Sequence, residues 1–102
     1  MDKLNGLKIT RRLIKEGKTD SQGACPIALA MRGKVDGTPM VNRAQTMIVK
    51  EGKGKAVYIK HTPELIDWIW RYDLKDYCGW EDPEPITLER RAGGYLGIKR
   101  EG

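Results

Sequence analysis

The stretch HTPELIDWIWRYDLKDYCG, from His61 to Gly79, constrains the fold more than any other part of the chain. Thr62 has a hydroxyl suited to accept a free N–H of a first helical turn. Pro63 fits the first helical position because it has no N–H to leave unpaired, and Glu64 sets negative charge near the positive end of the helix dipole. The segment is therefore predicted to be a helix, stopped by Gly79 or already at Asp73. Its expected buried stripe is Leu65, Ile66, Ile69 and Trp70, with Asp67 and Arg71 opposite. Residues two apart on a helix point about 200° away from each other, so Trp68 and Trp70 do not share a face. Trp70 goes with Ile66, which assigns Trp68 to the periphery as an anchor for a partner, with Trp80 beside it.

Upstream, Leu7 and Ile9 alternate with polar residues as in a short strand. Thr10 can cap a helical turn over RRLIKE that Gly17 ends, the alternative being one longer strand through Ile14. CPIALAMR reads as a short, mostly buried helix with Pro26 at its first position, Gly33 as its stop and Arg32 escaping to solvent. Beyond the VDGTP turn, MVNRAQTMIVK and AVYIK form two strands of a hairpin joined by a Gly-Lys loop. Tyr58 and Lys60 fall on its solvent side, alternating with Val57 and Ile59. WEDPEP is a proline-spaced linker, and ITLER alternates as a strand with Ile86 and Leu88 inward. Residues 92–102 are a glycine-rich basic tail, either mobile or an added strand. The prediction is one α+β domain over residues 1–102, with a mainly antiparallel sheet, two helices on one face and element order βαββαβ, which fits a ferredoxin-like arrangement.

A chain of 102 residues supports one modest core. Nineteen basic against 14 acidic residues give a formal charge of +5, which leans toward anionic partners. The cations are dispersed, although Lys50, Lys53, Lys55 and Lys60 surround the hairpin, so nucleic-acid binding ranks third among the functions considered. The first residues, MDKLNGLKIT, lack the apolar core of a signal peptide, and no apolar run approaches the ~20 residues of a membrane span. A cytoplasmic protein with reduced thiols is the expectation. Cys25, Cys78 and one histidine do not form a zinc pattern, and neither a metal nor a cofactor is expected.

Enzymatic chemistry finds little to stand on. His61 reads as a surface residue at a strand end, the carboxylates form no acid–base pair, and no phosphate-binding glycine motif is present. Cys25 heads a helix, where a thiol can ionise more easily, yet it also opens a buried apolar run, where it acts as a small hydrophobe. The candidate ligand site is the start of that helix. Ser21, Gln22, Gly23 and Cys25 lead into N–H groups without intrahelical partners, which attract phosphate or carboxylate. Arg43, Tyr58 and Lys60 could complete a nucleotide site by charge and stacking. The bland alternative is that Asp20 or Ser21 merely caps the helix.

CPIALA, the hairpin, the TPELIDWIWRYD helix and the closing EPITLE strand together resemble a group of small phage and prophage proteins, over roughly residues 7–89. The chain departs from that pattern in the aliphatic Ile86 and Leu88, where aromatics are common, and in its glycine-rich tail. No biochemical activity attaches to the group, so it assigns no residue a role. What it implies is a phage-type accessory protein acting on host defences. The expected function is non-enzymatic sequestration of a phosphate-bearing ligand such as a nucleotide signal. The alternative is inhibition of a host protein through an aromatic surface. A homo-oligomer is also expected, since two short helices cover little of a sheet's second face.

Overall fold

The computed structural model describes residues 3–50, 52 and 54–99. The expected Lys53 of the hairpin loop and the tail beyond Lys99 lie outside the described residues. The order of elements is β1 (Lys8–Ile9), α1 (Arg11–Glu16), α2 (Pro26–Met31), β2 (Thr38–Val41), β3 (Gln45–Lys50), β4 (Lys55–Lys60), α3 (Pro63–Cys78), β5 (Ile86–Arg90) and β6 (Leu96–Ile98), with a 3-10 turn at Ala92–Gly94. The protein is α+β, but its strands form two antiparallel three-stranded sheets, ordered β1-β5-β6 and β2-β3-β4, packed with three helices. The single-sheet, ferredoxin-like expectation is replaced for two physical reasons. Asn42 breaks MVNRAQTMIVK by accepting N–H bonds from Ala44 (2.9 Å) and Gln45 (2.8 Å), which turns one expected strand into β2 and β3. The tail supplies β6, which pairs with β5 through Leu88↔Ile98, Glu89↔Gly97 and Arg90↔Leu96.

Helix boundaries follow the caps. The Thr10 hydroxyl accepts from Leu13 N, and the Gly17 N–H donates to Leu13 O. Gly17 also marks a close approach, since a Cβ there would sit 2.6 Å from Pro26 Cδ. It is glycine that lets the end of α1 abut the start of α2. In α3, the Thr62 hydroxyl accepts from Leu65 N, and Gly79 closes the helix in the left-handed conformation (φ 66°, ψ 26°). Asp73 is not its end.

The core gathers Ile9, Leu88 and Leu96 from the first sheet and Val41, Ile48 and Ile59 from the second. Ile27, Ala28 and Met31 of α2 and Leu65, Trp68, Ile69 and Tyr72 of α3 pack among them. His61 joins the two sheets: it bridges to Leu96 in parallel fashion, and its N–H donates to Ala44 O at 2.9 Å. Rather than lying on the surface, it is only 3% exposed. Its Nδ1 lies 2.9 Å from Arg43 O and its Nε2 2.7 Å from the Thr46 hydroxyl. A strand end reads as surface in the sequence, but here a second sheet closes over it.

The stripe of α3 is rotated from the expected one. Leu65, Trp68, Ile69 and Tyr72, at spacings of three, four and seven, are buried. Trp68 is 7% exposed and Trp70 47%, the reverse of the expected assignment. Tyr72 decides it: its ring stacks on Trp68 with centroids 6.0 Å apart, and its hydroxyl donates to Ile14 O at 3.0 Å. A stripe centred on Ile66 and Trp70 would leave Tyr72 outside. Among the described residues, no helix is long and apolar enough to cross a membrane.

Candidate functional site

Two concavities bear on function. The first is the expected one, a cleft of about 430 Å³ between the loop before α2, the β2–β3 turn and α3. Ser21, Gln22, Cys25 and Arg43 all line it, together with Asp20 and Asp73. Local hydrogen bonds fix its walls. The Gln22 carbonyl accepts from Val41 N at 2.8 Å, tying the loop to β2. The Asn42 turn presents Arg43, and the Asp73 carboxylate accepts from Asp20 N at 2.9 Å. That bond holds Asp20 in the left-handed region (φ 54°), which aspartate tolerates better than most residues.

The chemistry of this cleft is largely spent internally. Cys25 itself caps α2, its Sγ accepting from Ala28 N at 3.4 Å, so neither Asp20 nor Ser21 is the cap. Burial pushes the Cys25 thiol up from its usual range, outweighing the backbone hydrogen bonds that favour the thiolate. Cys25 therefore stays a thiol at neutral pH and is a poor nucleophile. Cys25 and Cys78 are both free. Burial likewise pushes the Asp73 carboxyl up, against the Asp20 N–H and the Arg43 guanidinium, whose Nε is 3.9 Å from Asp73 Oδ2. A phosphate entering here meets one guanidinium and two carboxyl groups, Asp20 and Asp73.

The remaining candidates lie elsewhere. Gly23 does not line the cleft; its carbonyl accepts from Arg32 Nη2 at 2.7 Å. Tyr58 and Lys60 are exposed on the outer face of the β2-β3-β4 sheet, where Tyr58 pairs with Met47 and Lys60 with Gln45. They do not join Arg43 in one site.

The second concavity is a groove of about 820 Å³ between α3 and the WEDPEP linker. Gly79 builds one end: with its left-handed turn, the Trp80 N–H folds back to Lys75 O at 2.8 Å. Two clamps then hold the linker alongside the helix. Trp68 Nε1–H donates to Glu84 O at 2.9 Å, and Lys75 Nζ meets Asp82 Oδ1 at 3.0 Å. The hydrogen bond to Asp82 is the largest reason that the Lys75 ammonium is held above its usual range. Trp70 and Trp80 line the groove at 47% and 50% exposure, and the buried Trp68 also lines it. Among the described residues, Glu64, Asp67, Glu81, Asp82 and Glu84 stand around them, five carboxylates against the one guanidinium of Arg71, which pairs with Asp67 at 3.1 Å. In a chain of formal charge +5, this is a local reversal of sign.

Of the aromatic face expected around Trp68 and Trp80, both residues line this groove, Trp68 as a buried ring, and Trp70 joins them although the sequence assigns it to the core. The signal that identifies Trp70 is the spacing of Leu65, Trp68, Ile69 and Tyr72, which leaves Trp70 off the buried face. Asp73 was missed as well, because its role depends on the Asp20 backbone 53 residues away. Comparison with protein families, curated proteins and solved structures gave no match.

Proposed function

We propose that the protein is a non-enzymatic binding module that takes a basic, partly apolar segment of another protein into the groove between Trp70 and Trp80. The observation that carries this reading is the pairing of two half-exposed tryptophans with five carboxylates in one groove. Cations are drawn both to carboxylates and to the faces of indole rings, and tryptophan is the residue most enriched among interface anchors. Charge sign selects the partner: carboxylates outnumber cations among the described residues that line the groove, so an acidic segment would be repelled and a basic one attracted. Under the resemblance to phage accessory proteins, the partner is a host protein whose basic surface is blocked.

The test is titration with an amphipathic lysine–leucine peptide, read by tryptophan fluorescence and heat. Trp70→Ala and Trp80→Ala are each expected to weaken binding by about tenfold or more without lowering thermal stability. Equal binding by the wild type and both variants overturns the proposal. A second reading, capture of a phosphate-bearing ligand, is supported by the convergence of Ser21, Gln22, Cys25 and Arg43 on one cleft. Asp20 and Asp73 weigh against it. A thermal-shift series with nucleotides separates the two readings, since a ligand at 100 times its Kd stabilises by ~2.7 kcal/mol. If the cleft holds phosphate, Arg43→Ala removes that shift and leaves peptide binding intact.

A further inference from the structure

A third concavity lies away from both of these, and its chemistry is opposite to that of the tryptophan groove. On the core-facing side of the β2-β3-β4 sheet, Ile48 and Ile59 are buried. Val57, paired with Ile48 on the same face, is 44% exposed. The sheet thus extends past the elements that cover it, and a cleft of about 350 Å³ opens there, with Leu4 and Val35 completing an apolar floor. Lys3, Lys34, Lys50 and Arg90 rim this cleft, and among the described residues Asp36 is the one acidic side chain lining it. Arg90 is steadied by a 2.9 Å bond from its Nη2 to Gly94 O. Among the described residues, no ion pair engages Lys3, Lys34 or Lys50.

We propose that this cleft binds a small amphiphilic anion, a carboxylate or phosphate monoester carrying an apolar body. The head group sits among the lysines and the body lies over Val57, Val35 and Ile59. Each half of the site needs the other. Several cations converging on one concavity raise the local potential and draw in an anion, but exposed lysines alone hold it weakly. The apolar floor adds burial of hydrocarbon, which is insensitive to salt, and it selects against inorganic phosphate. The volume equals that of roughly a dozen waters, which suits a compact organic acid and is near the small end of ligand pockets. A concavity of this size fits a free ligand better than an extended protein segment.

The experiment is an NMR titration of the intact chain with octyl phosphate and octanoate below their aggregation limits. Inorganic phosphate, octanol, an octaglutamate peptide and phosphatidylglycerol vesicles form the other arms. Octyl phosphate and octanoate are expected to saturate, with shifts centred on Val35, Val57 and Ile59. Inorganic phosphate and octanol are expected to bind about tenfold or more weakly. The Lys34→Glu/Lys50→Glu double variant should lose about tenfold in affinity, and Val57→Ser, which keeps every charge, should also weaken binding. Inorganic phosphate binding as tightly as octyl phosphate overturns the amphiphile site. So do shifts centred elsewhere, or variants that bind as wild type. Binding confined to the vesicles or to octaglutamate assigns the surface to a membrane or an acidic protein, and also overturns it. None of these arms depends on the tryptophan groove.

Discussion

The α2 cleft and the tryptophan groove both collect polar and ionisable side chains, but the fold uses those side chains differently. In the cleft, Cys25 caps α2, Asp73 holds the Asp20 N–H, and the Gln22 carbonyl secures Val41. What looks like a binding constellation is mostly a set of structural bonds that close on one another. In the groove, Lys75–Asp82 and Trp68–Glu84 hold the linker, and Trp70 and Trp80 remain uncovered. Convergence of suitable residues is thus a weaker sign of a site than surface left over once the internal bonds are made. Apolar aromatic area carries more weight here, because exposing it to water has a cost that nothing in the monomer offsets.

Exchanging the two neighbouring tryptophans for alanine gives the largest break in this comparison. Trp68→Ala removes a buried ring, its stack on Tyr72 and its bond to the Glu84 carbonyl, and should cost about 3–5 kcal/mol of stability. Trp70→Ala, two residues away, should change stability by no more than about 0.5 kcal/mol and lose peptide binding. Chemical denaturation of the two variants checks this, and the opposite ranking would return Trp68 to the periphery and empty the groove of its anchor.

The same pair of residues shows how far the sequence could be read. The starts of α1, α2 and α3 were legible because each is announced locally, by Thr10, by Pro26 and by Thr62-Pro63. The end of α3 at Gly79 was one of two readings, and the left-handed glycine decided it. The face of α3 was not legible from Ile66 and Trp70 alone, since two adjacent stripes fit and only the partner of Tyr72, the Ile14 carbonyl 58 residues away, favours one. The two-sheet topology was hidden for the same reason: β1 pairs with β5 across most of the chain, and a glycine-rich tail offers little sign that Leu96–Ile98 is a strand. At the cleft, the convergence of Ser21, Gln22, Cys25 and Arg43 was foreseen, whereas its neutralisation by Asp73 required the fold. His61 reads as surface until a second sheet is placed over it.

A smaller effect, and one confined to the cleft, is expected on acidification. The Arg43 carbonyl can only accept, so Nδ1 of His61 carries the proton and Nε2 accepts from the Thr46 hydroxyl. Burial lowers the imidazole below its usual 6.5, the Arg43 carbonyl opposing this only in part. The unfolded chain therefore takes up a proton before the native one. The contribution of His61 is fully present above about pH 6.5 and declines as pH falls below that value, by at most ~1.4 kcal/mol per unit. Asp73 has the opposite sign, because its carboxyl is raised on folding, and it acts closer to the carboxylate range. Denaturation at pH 7.5 and at pH 5.5 should show the loss in the wild type and not in His61→Gln. Since His61 holds the Arg43 turn, local opening on acidification should appear first in hydrogen exchange of residues 42–46. Earlier opening at residues 80–84 would show that the groove, not the cleft, is the pH-sensitive region.

The smallest change reaches the groove through backbone conformation alone. Gly79 sits at φ 66° with no atom within 4 Å of where a Cβ would stand. Gly79→Ala therefore meets no clash and carries only the cost of a left-handed alanine, about 1 kcal/mol. What that residue controls is the direction in which Trp80 leaves the helix, because the Gly79 and Trp80 N–H groups both return to the Lys75 carbonyl. If the groove binds by holding two indole rings at a fixed separation, Gly79→Ala should weaken the lysine–leucine peptide by more than its stability cost predicts. Gly79→Asn, which tolerates the left-handed region, should restore most of the affinity. Should Gly79→Ala lose stability but keep wild-type affinity, the carboxylates rather than the spacing of the tryptophans hold the partner, and the groove becomes a charged surface on which the rings are incidental.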